Sequence, residues 1–244
     1  MSNFLKKISI NNETISIITL YGDNRNQEVT EWHKKVMVDH FGLPVNYIKC
    51  PFPGVSHGGF MNLLLKETID SDDSPDYYYW LDNDCIQLRS EALFLLYNTI
   101  CNKITIFGHA WQSNHKVGPN GQIPHAYASQ ACLGFSKKIY NELGRPDMDH
   151  FFQRSDTSEE LTYFAKEKGY NVSLIYPSHS IIADTPLDNG MKYGMGNTYG
   201  PLTMPLWHHT SCAGNPRHSE VFIETCKKVI KNEFQQQNPS LPYV

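Results

Sequence analysis

The sequence lacks several features that would assign a protein to a class at once. No apolar run approaches the roughly 20 residues that a membrane span needs, and the first residues lack the apolar core of a signal peptide. The six cysteines are scattered without a C-x-x-C pair, so neither a zinc knuckle nor a disulfide framework fits their spacing. We therefore expect free thiols and a cytoplasmic location.

An excess of positive charge is also missing. The chain has 21 Lys and Arg against 25 Asp and Glu, which gives a formal net charge of −4. Proteins that bind the phosphates of nucleic acids normally carry an excess of Lys and Arg, so this balance argues against nucleic acid as the main partner. It does not exclude a local basic patch. With 244 residues, of which 40% are hydrophobic and 19% charged, the composition is that of one globular domain.

Strands and helices alternate in the first part of the chain. The β-branched and aromatic runs predict strands, and the apolar residues at helical spacing predict helices. The predicted strands are Thr14–Leu20, Val45–Cys50 and Tyr77–Leu81, and the predicted helices are Glu28–Phe41 and Gly59–Ile69. This order predicts an α/β fold in which helices flank a central, mostly parallel sheet.

The second part of the chain is less regular. We predict helices over Ser90–Tyr97, Ser136–Leu143, Ser158–Lys168 and 216–238, strands over Lys103–Gly108, Ala131–Phe135 and Val172–Tyr176, and loops over His109–His125 and Asn189–Pro205. The last of these loops is predicted from its four glycines and its weak periodicity.

The triplet Asp82-Asn83-Asp84 follows the most apolar predicted strand. Two carboxylates so close repel each other unless one is protonated or a cation is bound. Magnesium and manganese prefer oxygen ligands and commonly bridge carboxylates and phosphates. The same residues are also good turn formers after any strand, so the triplet alone supports both a metal site and a plain turn.

A second candidate source of metal ligands is the pair His208-His209, which comes just before the last predicted helix. Imidazole is a common ligand of transition metals. A pair of partly exposed histidines beside Trp207 is the alternative interpretation. The sequence does not decide which of the two histidines would bind.

Together these segments resemble the metal-dependent glycosyltransferases of the GT-A fold, over nearly the whole chain. Tyr77–Asp84 is similar to the apolar strand and D-x-D motif of that family, Ala128–Lys138 to its strand-to-helix step, and His208-His209 to its late metal-binding histidine. The resemblance implies a single GT-A (Rossmann-like) domain over 1–244. Its halves would be a nucleotide-sugar-binding half over about 1–100 and an acceptor-side half over about 101–215, followed by the helix 216–238.

The resemblance also implies roles for particular residues. Asp84 would be a ligand of Mn²⁺ or Mg²⁺, Asp82 would contact the metal or the ribose, and one histidine would complete the site. The remaining donor-binding candidates are Tyr21, Gly22, Asp23 and Asn83, where Tyr21 could stack on the base or be a rim aromatic. Apart from the resemblance, the start of the second helix at His57 offers backbone N–H groups to a phosphate or a sugar hydroxyl, and a plain turn is the alternative there. The donor would be a UDP- or GDP-linked sugar, and the acceptor a glycan or another hydroxyl compound.

The catalytic carboxylate is harder to place, because the family's acidic pair would fall near Thr157-Ser158. We name Asp156 and Glu159 as candidate general bases. Both also fit the capping-box pattern at a helix start. Whether the reaction inverts or retains configuration stays open.

Three other functions share parts of this pattern. A catalytically inactive carbohydrate-binding protein of the same fold is the main alternative. A phosphatase of the haloacid type would need Thr or Val where the chain has Ile86, and a sugar nucleotidyltransferase would open with a Gly-rich, Arg-containing loop that Tyr21–Arg25 matches poorly.

Overall fold

Two β-sheets and six α-helices make up the part of the chain that the structure describes. The structure is a computed structural model that describes residues 5–22, 27–51, 54–113, 125–150, 155–201, 203–212 and 215–234. The strands are β1 (Ile8–Ile10), β2 (Glu13–Tyr21), β3 (Asn46–Lys49), β4 (Tyr77–Leu81), β5 (Cys85–Gln87), β6 (Thr105–Gln112), β7 (Ala126–Ser136), β8 (Asn171–Ile175), β9 (Pro177–Pro186), β10 (Lys192–Tyr199) and β11 (Trp207–His209). The helices are α1 (Gln27–Lys34), α2 (His57–Thr68), α3 (Glu91–Ile100), α4 (Lys137–Glu142), α5 (Glu159–Glu167) and α6 (Pro216–Ile230).

The central sheet has seven strands in the order β1-β2-β4-β7-β6-β8, with β3 also paired to β2. Strands β2, β3, β4, β6 and β8 run in one direction, and only β1 and β7 run against them. This architecture confirms the prediction of an α/β fold with a mostly parallel central sheet.

Strand β4 lies in the middle of this sheet, between β2 and β7. Its sequence Tyr-Tyr-Tyr-Trp-Leu has only aromatic and aliphatic side chains, and all five are buried. A strand covered on both faces needs apolar side chains on both faces, which explains why the run is continuous rather than alternating.

Two hydrophobic cores lie on the two faces of the sheet. Tyr79 of β4 points into a core shared with α1, α3 and α6, whereas its neighbours Tyr78 and Trp80 point into a core shared with α2, α4 and α5. The predicted helix Glu28–Phe41 is α1 followed by a π-helical segment, Lys35–His40. Among the helices of the described residues, none has the length and apolar character needed to cross a bilayer.

The second sheet was not predicted. It has four strands in the order β5-β11-β10-β9. The predicted loop Asn189–Pro205 is wrong over Lys192–Tyr199, which forms β10. A Cβ on Gly194 would lie 2.1 Å from the carbonyl oxygen of Ile182 on β9, beside a bulge in the pairing. The glycine therefore permits close strand approach rather than a loop.

The predicted loop His109–His125 is also partly wrong. Strand β6 continues through His109 to Gln112, and β7 begins at Ala126, five residues before the predicted Ala131. Residues 114–124 lie outside the described part of the chain. The six cysteines, all within the described residues, carry thiols rather than disulfides, as the sequence predicted.

Candidate metal and donor site

The acidic triplet is the turn that joins the two sheets. Asp82-Asn83-Asp84 follows β4 of the central sheet and precedes β5 of the second sheet. The Cys85 N–H donates to the Asp82 carbonyl at 2.9 Å, and the Asp82 N–H donates to the Ala131 carbonyl of β7 at 3.2 Å. The two carboxylates are therefore fixed at the carboxyl end of a central strand, which is where ligands bind in open α/β sheets.

The pairing of β11 with β5 brings a histidine beside this turn. The register places His209 opposite Cys85, and the Thr210 N–H then donates to the Asp84 carbonyl at 3.1 Å. Side chains alternate along a strand, so Trp207 and His209 point to the same side of β11, away from His208. This pairing explains how a residue near the end of the chain reaches the acidic turn.

Asp82, Asp84 and His209 converge on one point. One ligand atom from each side chain lies within 4.8 Å of the others, and His209 Nε2 is 3.3 Å from Asp84 Oδ1. The side chains of His209 and Asp84 are 1% and 11% exposed, whereas that of Asp82 is 18% exposed. Solvent therefore reaches the cluster mainly from the Asp82 side.

His208 does not join the cluster, which corrects the expectation that either histidine could be a ligand there. Its Nδ1 lies 3.4 Å from the Thr198 hydroxyl and its Nε2 3.1 Å from the Thr210 hydroxyl. Burial lowers the pKa of His208 to about 3, so the ring stays neutral between these two hydroxyls.

The protein stabilises the negative charge of Asp84 but not that of Asp82. Burial raises the pKa of Asp82, against the attraction of His57 and His209. Burial acts on Asp84 in the same direction, but His209 and the N–H of Cys212 outweigh it, so the pKa of Asp84 is lowered. Asp84 also raises the pKa of His209 against the opposing effect of burial. A bound cation would relieve the charge on Asp82 that burial disfavours.

The donor set fits a divalent cation. Two carboxylates supply the oxygen ligands that Mg²⁺ and Mn²⁺ take, and the imidazole favours a transition metal. In the described residues, Nδ1 of His209 is buried without a hydrogen-bond partner. The nitrogen that faces Asp84 is Nε2, so the fit to a cation rests on the chemistry of the three ligands and not on this Nδ1.

A cavity lies beside the triplet, on the side of α1. The side chain of Asn83 donates to the hydroxyl of Thr30 at 2.8 Å, and Thr30 lines a cavity of about 250 Å³. The other lining residues are Tyr21, Gly22, Gln27, Glu31, Lys34 and Lys49. The structure thus brings Tyr21, Gly22 and Asn83 together at the carboxyl edge of the sheet. Asp23 lies outside the described residues.

His57 borders the cluster from the opposite side. Its Nε2 lies 3.7 Å from Asp82 Oδ1, and its side chain is 31% exposed. His57 is the first residue of α2, where Ser56 caps the helix by accepting the Gly59 N–H at 3.0 Å. A Cβ on Gly58 would lie 2.2 Å from the Met148 carbonyl, so the helix start is packed closely and holds His57 at the site edge.

The two candidate bases occupy different environments. Glu159 is fully buried, and its carboxylate accepts the Asp156 N–H at 2.6 Å and the Tyr163 hydroxyl. The half-buried Asp156 instead accepts the Tyr127 hydroxyl at 3.4 Å. Glu159 therefore holds the start of α5, as in the capping-box alternative, whereas the carboxylate of Asp156 lies beside an aromatic cluster.

Sequence reasoning missed this aromatic cluster. The Trp111 ring lies 5.5 Å from the ring of His209 and stacks on Tyr193 at 5.8 Å and 23°. Both residues fall in segments that we predicted to be loops. The alternation of Phe107, His109 and Trp111 was the available signal, because it follows the period of a strand.

Three solved structures that resemble this chain are those of glycosyltransferases. The catalytic domain of Drosophila beta1,4galactosyltransferase 7 in complex with xylobiose has 11% identity, a TM-score of 0.41 and coverage of 66% of this chain and 63% of its own. A mutant of that enzyme with manganese, UDP-Gal and xylobiose has 12% identity and a TM-score of 0.38, with 65% of this chain and 64% of its own covered. This chain thus spans less than two thirds of those two Drosophila chains.

A glycosyltransferase involved in glycosylation of the major capsid of PBCV-1 has 12% identity and a TM-score of 0.43, with 84% of this chain and 98% of its own covered. No protein-family model matches the chain, and no curated protein matches it in sequence. At these identities and TM-scores the likeness says nothing about activity, so the function proposed below rests on the geometry of the site.

Proposed function

We propose that this protein is a metal-dependent glycosyltransferase, which moves a sugar from a nucleotide-sugar donor to a hydroxyl acceptor. The observation that carries the proposal is the convergence of Asp82, Asp84 and His209 at the carboxyl end of β4. A cavity lined by Tyr21 lies next to the same turn. A cation site beside such a cavity suits a ligand that has both a diphosphate and a base.

Asp82, Asp84 and His209 would hold the metal ion. The nitrogen ligand favours Mn²⁺ over Mg²⁺, because Mg²⁺ prefers an all-oxygen shell. When bound, the cation would neutralise the charge that develops on the leaving diphosphate, which is the main electrostatic demand of glycosyl transfer.

The cavity beside α1 would hold the nucleoside. Tyr21 offers an aromatic face on which a base can stack, and the Nζ of Lys34 lies 5.9 Å from the centre of its ring. Asn83 ties the metal turn to the cavity wall through Thr30. The proposed donor is UDP- or GDP-linked, and His57 would contact its diphosphate or sugar from the far side of Asp82.

Asp156 is the proposed general base. As the bond from the acceptor oxygen to the sugar forms and the bond from the sugar to the diphosphate breaks, Asp156 would take the proton of the acceptor hydroxyl. Glu159 would keep the start of α5, and with it Asp156, in place. A retaining reaction without a dedicated base is the alternative, and in that case Asp156→Asn would keep its activity.

The test is thermal unfolding of the protein with nucleoside diphosphates, each with and without Mn²⁺. We expect one nucleotide to raise the melting temperature only when Mn²⁺ is present, and Asp84→Asn to abolish that rise. The exposed Asp72→Asn is the matched control and should keep it. Absence of a Mn²⁺-dependent shift for every nucleotide would overturn the proposal.

Turnover then separates an enzyme from a binding protein. Sugar conjugates of the nucleotide that gives the shift are incubated with the protein and Mn²⁺, and the released nucleoside diphosphate is measured. Release that Asp84→Asn loses supports a transferase. Binding without release from any conjugate, in the presence of acceptor sugars, would indicate the catalytically inactive carbohydrate-binding alternative.

A further inference from the structure

We propose that Trp111, Tyr193 and Asp156, with the buried Tyr127 behind them, form the acceptor-binding site, and that the acceptor is a pyranose sugar. These four residues are called the acceptor cluster below. The assignment rests on the proposed glycosyltransferase function, since an acceptor has meaning only if the neighbouring site transfers a sugar.

The acceptor cluster is assembled from four separate segments. Trp111 of β6 and Tyr127 of β7 are direct partners in the antiparallel ladder, so their side chains lie on the same face of the central sheet. Tyr193 of β10 stacks on Trp111 from the second sheet. Asp156, which precedes α5, accepts the hydroxyl of Tyr127 at 3.4 Å. The packing of the second sheet against the central sheet therefore creates the cluster.

The cluster adjoins the metal site directly. The rings of Trp111 and His209 are 5.5 Å apart and inclined at 38°, and His209 is one of the three proposed metal ligands. Trp111 thus contacts both the metal cluster and Tyr193. A ligand bound against these rings would lie beside the metal site. An acceptor has to lie there, because a metal ion that binds the diphosphate of the donor also places the donor sugar nearby.

The chemistry of the cluster matches a sugar ring. Trp111 and Tyr193 are both half-buried, and such aromatic side chains combine an apolar face with a polar tip. A pyranose likewise has C–H faces and a rim of hydroxyl groups. The carboxylate of Asp156 is a strong acceptor for such hydroxyls. The aromatic rings can therefore pack on the C–H faces of the sugar while the carboxylate binds its hydroxyl groups.

The charges near the cluster favour a neutral ligand. The pKa of Tyr193 is raised, first by burial and further by the carboxylates of Asp156 and Asp184. A phosphate-bearing acceptor, such as a nucleic acid or a phospholipid, would meet these negative charges at close range. An uncharged glycoside would not, which agrees with the assignment made from the aromatic rings and the carboxylate of Asp156.

Saturation-transfer NMR with methyl glycosides tests the assignment. The probes are methyl β-xyloside, β-galactoside, β-glucoside and α-mannoside, each added to the Mn²⁺-free protein. We expect at least one to bind, with saturation concentrated on the ring C–H protons rather than on the methyl group. Tyr193→Ala should weaken this binding by about tenfold, which is the change expected for 1.4 kcal/mol of lost contact.

Two further variants make the result specific. Tyr193→Phe keeps the ring and should bind within about twofold of the wild type, because stacking and not the hydroxyl carries the contact. Phe94→Ala removes an aromatic side chain that is 55% exposed on α3 and should leave glycoside binding unchanged. Equal losses in Tyr193→Ala and Phe94→Ala would overturn the assignment.

The wild-type result is decisive even if Tyr193→Ala does not fold. Absence of saturation from all four glycosides, in a protein that shows the Mn²⁺-dependent nucleotide shift, would overturn the acceptor site and leave the glycosyltransferase proposal standing. Glycoside binding without any nucleotide shift would support a sugar site and overturn the transferase proposal. Uniform saturation over ring and methyl protons would contradict stacking.

Discussion

His209 Nε2 lies 3.3 Å from Asp84 Oδ1, whereas both nitrogens of the neighbouring His208 face threonine hydroxyls. The contrast follows from strand alternation on β11 and from the register of β11 against β5. Two adjacent histidines therefore have separate environments, and each can serve as the control for the other.

His209→Gln should weaken Mn²⁺ binding by at least about tenfold, because it removes one of three proposed ligands. His208→Gln should leave the Mn²⁺ dissociation constant within about twofold while lowering stability, since its two threonine contacts change. Electron paramagnetic resonance of free Mn²⁺ measures both affinities. Equal weakening in the two variants would show that the cluster is not the metal site.

Manganese affinity should also fall as the pH falls. Burial alone would lower the pKa of His209, but the carboxylate of Asp84 outweighs burial and raises it above 6.5. Below that raised pKa a proton occupies the imidazole and competes with the metal, so the dissociation constant should rise by about tenfold per pH unit. The same titration of free Mn²⁺ between pH 5.5 and 8.5 measures the slope, and a flat profile would contradict this role of His209.

One part of this site could be predicted from the sequence and another part could not. The triplet and its strand were predictable, because the run Tyr77–Leu81 has an unmistakable pattern and Asp82-Asn83-Asp84 ends it. The choice of His209 over His208 was not predictable, because it depends on the register between two strands of three residues each. Such short strands carry no period of their own, and their pairing is a long-range contact.

The second sheet could not be predicted from the sequence either. Glycine usually weakens a strand, so Gly194 and Gly196 in β10 suggested a loop. Gly194 is needed where β10 approaches β9, and Gly196 has φ +68°, a conformation that residues with a side chain rarely adopt. Without this sheet, neither Trp111 nor Tyr193 could be connected with the metal site from sequence.

Substitutions of Asp156 and Glu159 should cause different defects, the first in activity and the second in stability. Asp156→Asn should reduce glycosyl transfer by about 10²–10⁴-fold, the usual contribution of a general base, with little change in stability. Glu159→Ala should lower the free energy of unfolding by roughly 2–4 kcal/mol, because the Asp156 N–H and the Tyr163 hydroxyl lose their acceptor.

Urea unfolding and donor turnover, measured on both variants, check this division. The exposed Glu67→Ala on α2 is the control and should change stability by less than about 0.5 kcal/mol. Full activity in Asp156→Asn would remove the proposed base and favour a retaining reaction. A stable Glu159→Ala would contradict the role of Glu159 in holding the start of α5.

Buried His33 should make stability fall in acid. Its Nε2 bonds the Cys85 carbonyl and its Nδ1 the Tyr47 hydroxyl, and burial lowers its pKa to about 4. From pH 6.5 down to 4 the unfolded chain binds a proton there that the folded chain does not, so the loss should reach roughly 3 kcal/mol. Urea unfolding across this range should give a shallower decline for His33→Gln than for the wild type. The exposed His150→Gln should follow the wild type, and parallel curves for all three proteins would refute the assignment.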